Sequence, residues 1–426
     1  MTTFKDTNIK WLPKIPNDWE IKKLKYIFTY ITGATPSSWK SEYYNWGKHN
    51  WITISDLDWK YTWKSKNTLT DKAVQDSNMK IVPKWSLLYS FKLSVWQMSF
   101  VSEDTYTNEA IFAVLEKDWL NLNFWYYALW SYFISNANEN IYWAKIFNQF
   151  VIDNWFLIMP TLDTQTSIAN FLDNKTDKIS TFIKNKKETI KLLQEQKQAI
   201  IHKAVTKGIE EWVKMKDSWI ELIWSIPYNW KVIPFSKYFI SLVDYRWKTP
   251  EKVIESDYIL ITTKNIKWGI IDYSLWLEYI TKDWFNISRS RWLPEYNDIV
   301  FTMEAPLWEC AIIKDNSVAF WQRIIKLRLK DIDSNYAIYS MRSLYFQTIL
   351  HKESTGSTVL WLKSSKIHKL KFVLPWIKEQ KNILKYLDKE TNLVDTAITK
   401  IESEIKLIEE YKDSLIYNAV TGKINI

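Results

Sequence analysis

Basic side chains gather beside turn residues in the second half of the sequence. Arginine carries a planar fork of donors that can form two hydrogen bonds with the edge of guanine, while lysine, serine and threonine reach phosphate oxygens. The candidates in this half are Arg246, Lys248, Thr249, Arg289, Arg291 and Arg323. For each residue alone, a solvated surface charge is the alternative. The turn context of Arg246 with Lys248, and of Arg289 with Arg291, favours contact with a nucleic acid.

The aligned positions of the first half carry other polar side chains in place of arginine. Hydroxyl and lysine groups stand where the second half has arginine, and both kinds of group contact phosphates. The candidates in this half are Thr35, Ser37, Lys40, Lys64 and Lys66. The asymmetry suits two domains that read two different nucleotide sequences.

The chain shows no pattern typical of a catalytic or metal centre. It lacks the glycine-rich loops GxxxxGK[ST] and GxGxxG that bind nucleotide phosphates. Its four histidines are scattered, with no HExxH and no Cys/His cluster for zinc. Cys310 has no evident His or Asn partner motif and is interpreted as a small buried hydrophobe. The sequence therefore predicts a binding protein with no catalytic residue, no metal and no cofactor.

Two long helices are predicted to position these residues. In the first, over 176–208, apolar residues recur in alternating steps of three and four with two gaps, which indicates a helix with one partner face. These residues are Ile179, Ile183, Ile190, Leu193, Ile200 and Ala204. The second helix, over 391–422, repeats the same slots 215 positions later, at Val394, Ile398, Ile405, Ile408, Leu415 and Ala419. The repetition predicts an internal duplication.

The order of elements in both halves is a mixed domain followed by a helix. Short runs bounded by turn residues predict strands at 51–57, 87–90, 110–115, 258–263, 299–302 and 324–329. Helical stretches follow at 122–135 and 335–350, and a Pro-marked entry then leads to each long helix. The predicted boundaries are 1–158 and 216–373 for the mixed domains, and 159–215 and 374–426 for the helical regions. The fold class is α+β.

Composition restricts the partners. The formal net charge of +9 and the pI near 9.0 favour polyanions, although a merely basic soluble protein fits the same charge. One cysteine excludes a disulfide framework and fits a reducing compartment. The polar start MTTFKDTNIK shows no signal peptide, and no apolar run reaches 18 residues. A soluble, cytoplasmic protein without a membrane partner is expected.

The tryptophan content is abnormal. The chain holds 27 Trp and only 6 Gly, whereas glycine ordinarily makes up about 7% of residues. When the halves are aligned, Trp247 stands opposite Gly33, Trp321 opposite Asn108, and Trp85 opposite Asn297. Asn and Gly interchange where the backbone needs positive φ, and Trp does not. The hypothesis is that many Trp stand for glycine encoded by UGA. A genuinely Trp-rich protein with sugar-stacking platforms is the alternative.

Several stretches resemble the specificity subunits of type I restriction–modification enzymes. They are SWIELIWSIPYNWKV (218–232), DYRWKTP (244–250), EAPLWECAI (304–312), FWQRI (320–324), STGSTVLWLKSSKIHKLKFVLPWIKEQKNILKYLD (354–388) and AVTGKI (419–424). The resemblance covers essentially the whole chain and becomes closer if Trp219, Trp224, Trp247, Trp308 and Trp321 are read as glycine. Gly33-Ala34 departs from the basic residues that precede Thr249-Pro250 in the second half.

The resemblance implies two target-recognition domains, joined and closed by two antiparallel helices that form a coiled coil. It also implies a non-catalytic subunit that reads a bipartite target on double-stranded DNA. Methyltransferase subunits would dock on the helices, and restriction subunits would be added for cleavage. The predicted partner-binding residues are Ile183, Ile190, Leu193, Lys197, Ile200, Ile398, Ile405, Ile408, Lys412 and Leu415.

Lysines occupy seam slots where apolar residues are expected. When the two copies are aligned, Lys197 corresponds to Lys412, and Lys186 corresponds to Ile401. A polar seam residue can fix the register of a helix pair at a cost in stability. The hypothesis is that these lysines enforce the antiparallel alignment or face a docked partner.

A different class of function remains open at this stage. A coiled-coil scaffold that only assembles proteins, without sequence-specific DNA binding, would have the same helices. A DNA-reading subunit instead predicts specific binding that weakens steeply with salt when the methyltransferase partner is present.

Overall fold

The computed structural model describes residues 3–57, 60–91, 97–138, 153–220, 222–244, 250–267, 269–290, 293–304, 309–320, 323–354, 362 and 364–426, with the side chains of 134–138, 364–365 and 368 left aside. The chain divides into two compact units. Unit 1 comprises Met1–Lys186 and Ser403–Ile426, and unit 2 comprises Lys187–Glu402. Each unit therefore contains one mixed domain and a part of each long helix.

Among its described residues, unit 1 has short strands and three α-helices before the first long helix. The strands are β1 (Phe4–Asp6), β2 (Lys14–Pro16), β3 (Glu20–Lys23), β4 (Tyr30–Thr32), β5 (His49–Ile52), β6 (Tyr61–Thr62), β7 (Asn67–Leu69), β8 (Leu87–Ser90), β9 (Met98–Val101), β10 (Tyr106–Thr107), β11 (Ile111–Val114) and β12 (Phe156–Met159). The helices are α1 (Leu24–Ile27), α2 (Asp71–Asp76) and α3 (Leu122–Asn138), and the long helix is α4 (Leu162–Lys207).

Unit 2 repeats this order. Its strands are β13 (Met215–Ile220), β14 (Ile223–Pro227), β15 (Lys231–Pro234), β16 (Phe239–Asp244), β17 (Lys252–Val253), β18 (Ile259–Ile261), β19 (Ile266–Lys267), β20 (Ile270–Ile271), β21 (Glu278–Ile280), β22 (Ile299–Thr302), β23 (Cys310–Ile312), β24 (Ala319–Phe320), β25 (Ile324–Leu329) and β26 (Lys371–Leu374). Its helices are α5 (Lys282–Ser290), α6 (Ser334–Arg342) and α7 (Leu344–Glu353), followed by the long helix α8 (Ile377–Val420).

The sheets of the two units share a central strand order and differ by one strand at an edge. The larger sheet has the order β4-β11-β8-β9-β6 in unit 1 and β16-β25-β22-β23 in unit 2. The smaller sheet has the order β10-β5-β7 in unit 1 and β17-β21-β18-β24 in unit 2. Each smaller sheet contains one parallel pair, β10 with β5 and β24 with β18. The duplication predicted from the helices therefore extends to the strand pairing of the mixed domains.

Apolar side chains explain the central strands. All four residues of β8 and of β11 are buried, as expected for strands covered on both faces. The core of unit 1 joins Phe112 and Trp125 of the mixed domain with Ile168 of α4 and Ile416 of α8. The core of unit 2 joins the domain, α4 and α8 in the same way. Each domain is thus packed onto both long helices within its own unit.

The long helices begin earlier than the sequence pattern predicts. The predicted helix over 176–208 starts at Leu162 in the structure, and the helix predicted over 391–422 starts at Ile377. Their first turns face a domain core, so the apolar residues there do not follow the seam. A buried glutamine fastens each start: the Gln165 side chain donates to the Pro160 carbonyl (3.0 Å) and accepts from the Asn121 amide (2.9 Å).

Gln380 repeats this arrangement in unit 2. Its side chain donates to the Pro375 carbonyl (3.0 Å) and accepts from the Asp333 amide (2.9 Å). Gln165 and Gln380 are both 0% exposed. A buried amide that satisfies two backbone groups fixes the direction in which a helix leaves its domain.

Two further predicted elements differ in extent. The stretch 335–350 forms two helices instead of one, because Ser343 takes an extended conformation between them (φ −69°, ψ 153°). The strand predicted over 51–57 ends at Ile52. A capping box between Thr53 and Asp56 turns the next residues, Ile54–Asp56, into a 3-10 helix.

The helix pair runs antiparallel within each unit. In unit 1, Lys186 of α4 forms an ion pair with Glu404 of α8 (2.7 Å). In unit 2, Lys197 of α4 pairs with Asp395 of α8 (2.6 Å). The core of unit 1 also joins the earlier Ile168 of α4 with the later Ile416 of α8. The core of unit 2 joins the later Ile201 of α4 with the earlier Leu387 of α8. Within each unit the two helices therefore run antiparallel, as the predicted coiled coil requires. Both seam lysines bond across the helix pair.

Three exposed tryptophans have a backbone conformation that favours glycine. Trp46, Trp85 and Trp219 have φ values of 61°, 67° and 59°. Asn297, which aligns with Trp85, has φ 72°. By contrast, Trp19 and Trp230, which agree with each other in the two halves, are 4% and 0% exposed.

Candidate nucleic-acid interface

The loop between β6 and β7 of unit 1 carries the candidates Lys64 and Lys66. Asp56, only 9% exposed, organises it by accepting hydrogen bonds from the amide and hydroxyl of Thr53 (both 2.8 Å) and from the amide of Lys66 (3.1 Å). The Lys66 ammonium donates to the Ser55 carbonyl (2.7 Å). Lys64 and Lys66 are exposed. The loop therefore presents two cations on a backbone held by one buried carboxylate.

The segment after β4 carries Thr35, Ser37 and Lys40. The backbone comes so close to β10 that a Cβ added to Gly33 would lie 1.9 Å from the Thr107 carbonyl oxygen, so only glycine fits there. The Thr35 hydroxyl donates to the Glu109 carboxylate. Ser37 is half-buried in the same segment.

Lys40 is tied to a tyrosine. Its ammonium donates to the Tyr43 hydroxyl (2.9 Å) and lies 4.9 Å from the centre of that ring. The hydrogen bond to Tyr43 raises the pKa of Lys40. Like an ordinary lysine, this exposed side chain is cationic at neutral pH. It remains able to meet a phosphate.

In unit 2, Arg289 and Arg323 are the predicted contacts within the described residues. Arg289, near the end of α5, donates to the Asn316 carbonyl and stacks on the Phe285 ring at 5.1 Å. Arg323 has φ 64°, and its exposed guanidinium pairs with Glu304 (3.0 Å). Arg246, Lys248, Thr249 and Arg291 lie outside the described residues. All these contacts stay predictions.

A buried ionic cluster in unit 2 is absent from the sequence predictions. Asp298, 2% exposed, binds Lys326 (3.0 Å) and the Arg328 guanidinium (2.8 and 2.9 Å). Lys326 is 0% exposed. Burial alone would raise the pKa of Asp298, but the hydrogen bonds from Arg328, the Glu295 segment and Lys326 outweigh it and leave that pKa below its ordinary value. The carboxylate stays charged inside the domain.

A polar contact joins the domain of unit 1 to α4. The Tyr127 hydroxyl of α3 donates to Asp173 (2.5 Å) and bonds to the Thr176 hydroxyl (3.0 Å). Burial, together with the carboxylate, raises the pKa of Tyr127 well above its ordinary value, so the hydroxyl remains a donor. We call this arrangement the Tyr–Asp–Thr contact.

Unit 2 has its own Tyr–Asp–Thr contact. The Tyr339 hydroxyl of α6 donates to Asp388 (2.9 Å) and bonds to the Thr391 hydroxyl (3.3 Å). Sequence reasoning missed both contacts. The sequence does contain a signal, because the Asp and Thr of each contact recur 215 positions apart and the tyrosines recur 212 positions apart. However, the recurrence of side chains in a repeat does not show which of them are in contact.

The predicted partner-binding residues lie along the helix seam. Ile405 is buried, and the other nine, from Ile183 to Leu415, are half-buried. Among them, Lys197 bonds to Asp395 rather than to its counterpart Lys412. Direct contact of these positions with a partner protein stays a prediction.

In the described part of the chain, metal-ligating side chains are not grouped, and the cysteine is buried. No group of three or more His, Cys, Asp or Glu side chains is placed there to hold a metal ion. Burial raises the pKa of the Cys310 thiol to about 12, which keeps it protonated and unreactive. Among the described residues, no helix combines the length and the apolar character that a membrane crossing needs.

Comparison with known proteins gives consistent matches. The family described as "Type I restriction modification DNA specificity domain" matches residues 16–192 and 247–407. The MjaVIII specificity subunit of a type I restriction enzyme of Methanocaldococcus jannaschii is 22% identical over 100% of this chain and 98% of that protein. The MjaIX specificity subunit of the same organism is 28% identical over 45% of this chain and 44% of that protein.

Two solved structures share the fold. A chain from a study of complex assembly and conformational transition of the type I R-M system has a TM-score of 0.70 at 11% identity, with 96% of this chain and 99% of that chain covered. The HsdS subunit of Thermoanaerobacter tengcongensis has a TM-score of 0.50 at 13% identity, with 96% and 98% covered. At such identities the likeness concerns the fold.

Proposed function

This chain belongs to the type I restriction–modification DNA specificity family, and we propose that its two mixed domains each read one part of a split DNA target. The chain is a specificity subunit that recognises DNA and is not itself the catalyst. The scaffold without sequence-specific DNA binding is not favoured. The finer assignment, one half-site for each domain, is the proposal.

The placement of the family matches carries the proposal. The two matched segments, 16–192 and 247–407, each combine most of one mixed domain with a part of one long helix. The strand orders of the two domains correspond, while their candidate contact residues differ. Two readers with one scaffold and different surface chemistry suit two different half-sites, and linking them raises the effective concentration of the second reader.

Double-stranded DNA, methyltransferase subunits and restriction subunits are the proposed partners. The outward faces of the long helices support docking of a protein, because they expose large apolar side chains. These are Phe182, Leu192, Leu393, Leu407 and Tyr411, with exposures from 43% to 64%. The seam residues that we predicted as partner contacts would then act by holding the helix pair to which the partner binds.

A DNA-binding experiment tests the function. The chain, reconstituted with the methyltransferase subunit of its own system, should select a split motif from a pool of duplexes with randomised positions. Its affinity should fall steeply between 50 and 200 mM salt, by a factor on the order of 10³ if about six phosphates are neutralised. Selection of no motif would overturn the proposal.

We also propose that the long helices set the gap between the half-sites. At about 1.5 Å per residue, seven residues of helix span about 10 Å, or about three base pairs at 3.4 Å each. Removing 187–193 together with 397–403 keeps the antiparallel match seen at Lys197 and Asp395. The selected gap should change by about three base pairs. An unchanged gap contradicts a ruler.

Finally, we propose that many tryptophans of this sequence are glycine in the native protein. The positive φ of exposed Trp46, Trp85 and Trp219 supports this reading, as does the Asn297 conformation at the slot of Trp85. Mass spectrometry of the protein from its native source decides it, since each exchange lowers a peptide mass by about 129 Da. The test peptides contain Trp85 and Trp219, and the control is the separate peptide that contains buried Trp19.

A further inference from the structure

Lys60 connects the candidate DNA loop of unit 1 to the long helix. Its backbone carbonyl accepts from the Phe100 amide (2.8 Å), at the start of the parallel pairing of β6 with β9. Its ammonium lies 2.5 Å from the Asp173 carboxylate of α4. The residue therefore joins the sheet, the loop and the helix.

Aromatic rings surround this ammonium. It lies 5.7 Å from the ring centre of Tyr61 and 5.4 Å from those of Tyr126 and Tyr127. The Lys60 side chain is only 23% exposed. A cation enclosed by π faces and held by one carboxylate has little freedom, and this distinguishes it from the exposed lysines of the same unit.

Hydrogen bonds connect the segment after Lys60 to the backbone of Lys66. Beyond Lys60, the Thr62 hydroxyl bonds to Ser99 (2.6 Å) and to the Asp56 carbonyl (3.0 Å). The carboxylate of Asp56 in turn binds the amide of Lys66. A shift at Lys60 would therefore move the backbone from which Lys66 projects.

Unit 2 lacks this anchor at the equivalent place. The Ile312 amide donates to the Gly269 carbonyl (3.2 Å), as the Phe100 amide does to Lys60, so Gly269 holds the slot of Lys60. A Cβ built on Gly269 would lie 3.7 Å from the guanidinium of Arg342, which belongs to α6. In unit 2 a cation near this slot thus comes from the domain helix and not from the loop.

We infer that Lys60 is a positioning residue for DNA reading by unit 1: its bridge to Asp173 inside the tyrosine cage sets the position of the loop that carries Lys64 and Lys66. This rests on the proposed function. It assigns to Lys60 an effect on one half-site only.

The test uses the full chain with the methyltransferase subunit of its system, and a duplex pool randomised at both half-sites. Lys60→Met keeps the length of the side chain and removes its charge. It should reduce base discrimination about tenfold at one half-site, with the other unchanged. The reason is that phosphate contacts of Lys64 and Lys66 would fix the register in which this domain meets the base edges, and a displaced loop loses that register. Lys60→Arg keeps the cation and should restore discrimination.

Lys22→Met is the control, since Lys22 of β3 also forms an ion pair with a carboxylate, that of Glu20, in unit 1 but belongs neither to the loop nor to the helix seam. It should leave both half-sites unchanged. If Lys60→Met fails to fold, Asp173→Asn must give the same one-sided loss. The inference about Lys60, and not the proposed function, is overturned by either of two results. In the first, Lys60→Met loses base discrimination equally at both half-sites. In the second, it loses none although the wild-type chain selects a motif. A wild type that selects no motif overturns the proposed function, and this inference with it.

Discussion

The two mixed domains share their strand order but differ in what fills the larger sheet. In unit 1 the central strands β8 and β11 are buried and almost entirely apolar. In unit 2 the matching strand β25 carries Lys326 and Arg328, which meet the buried Asp298. At the slot of Asp298, unit 1 has Ser86. The comparison teaches that hydrogen-bonded strand pairing defines this fold, while the chemistry of the interior can be exchanged around it.

The largest expected effect is the loss of Asp298. Asp298→Ala removes the carboxylate from the buried Lys326 and the partly buried Arg328 and should destabilise unit 2 by about 3–5 kcal/mol. Ser86→Ala, the matched change in unit 1, should cost no more than about 1 kcal/mol. Hydrogen exchange read by mass spectrometry measures each unit separately. The double variant Asp298→Ala with Lys326→Met should recover much of the loss, and equal losses for Asp298→Ala and Ser86→Ala would refute the contrast.

Acid should destabilise unit 2 more than unit 1. The pKa of Asp298 is lowered in the folded state from its model-peptide value of 3.8, so the folded domain binds fewer protons than the unfolded chain in that range. Its stabilising contribution is complete above about pH 4 and is lost as the pH falls through the lowered value. As the pH is lowered from 5 to 2, unit 2 of the wild type should therefore become sensitive to a protease at a higher pH than unit 2 of the Asp298→Ala/Lys326→Met variant.

The Tyr–Asp–Thr contacts give an intermediate effect in both units. Tyr127→Phe should cost about 1–2 kcal/mol, since it removes a short hydrogen bond to a carboxylate that Lys60 also binds. Tyr339→Phe should cost about 1 kcal/mol because its contact with Asp388 is longer. Chemical denaturation followed by hydrogen exchange is the measurement. A larger loss in unit 2 would contradict the ranking.

Smaller still is the effect of the turn before β8 and β22. Trp85→Gly should stabilise unit 1 by about 1 kcal/mol, because a bulky residue at φ 67° is strained. Asn297→Gly in unit 2 should change stability by no more than about 0.5 kcal/mol, since asparagine tolerates this conformation. Thermal unfolding of the recombinant chain provides both values. Loss of stability in Trp85→Gly would show that the indole packs usefully.

The smallest effect is expected at the seam lysines. Lys186→Leu in unit 1 and Lys197→Leu in unit 2 each remove a partly exposed ion pair and place an apolar side chain in the seam. Surface pairs contribute about 0–1 kcal/mol, so the net change should stay within about 1 kcal/mol in either direction. If Lys197→Leu, alone or with Lys412→Leu, also leaves helix alignment and partner binding unchanged, the lysines do not fix the register.

Much of this architecture could be predicted because its signals are periodic. The steps of three and four along Ile183, Ile190 and Leu193 predict a helix with one partner face whatever its surroundings. Repetition after 215 positions then predicts the second helix. The strands at 87–90, 299–302 and 324–329 agree with the structure because apolar runs between turn residues have few alternatives.

The rest depends on contacts between distant segments. Nothing near Asp298 in the sequence shows that Lys326 and Arg328 lie beside it, since these residues meet only when β25 pairs with β22. The capping box of Thr53 and Asp56 shortens a predicted strand for a local reason that was missed. Turn context predicts Arg246, Lys248 and Arg291 as contacts, and these three residues lie outside the described part of the chain.

The discontinuity of unit 1 has a consequence for synthesis. Leu12 and Ile15 share a core with Ile416 and Ala419, and the Tyr417 hydroxyl donates to the Trp11 carbonyl (3.3 Å). The returning segment is Ser403–Ile426, and its last residue follows Lys186 by 240 positions (426 − 186). At 5–20 residues per second, the ribosome leaves the first domain without its closing helix for roughly 10–50 s. Unit 2, continuous in sequence, is finished first, so the domain that is made first is completed last.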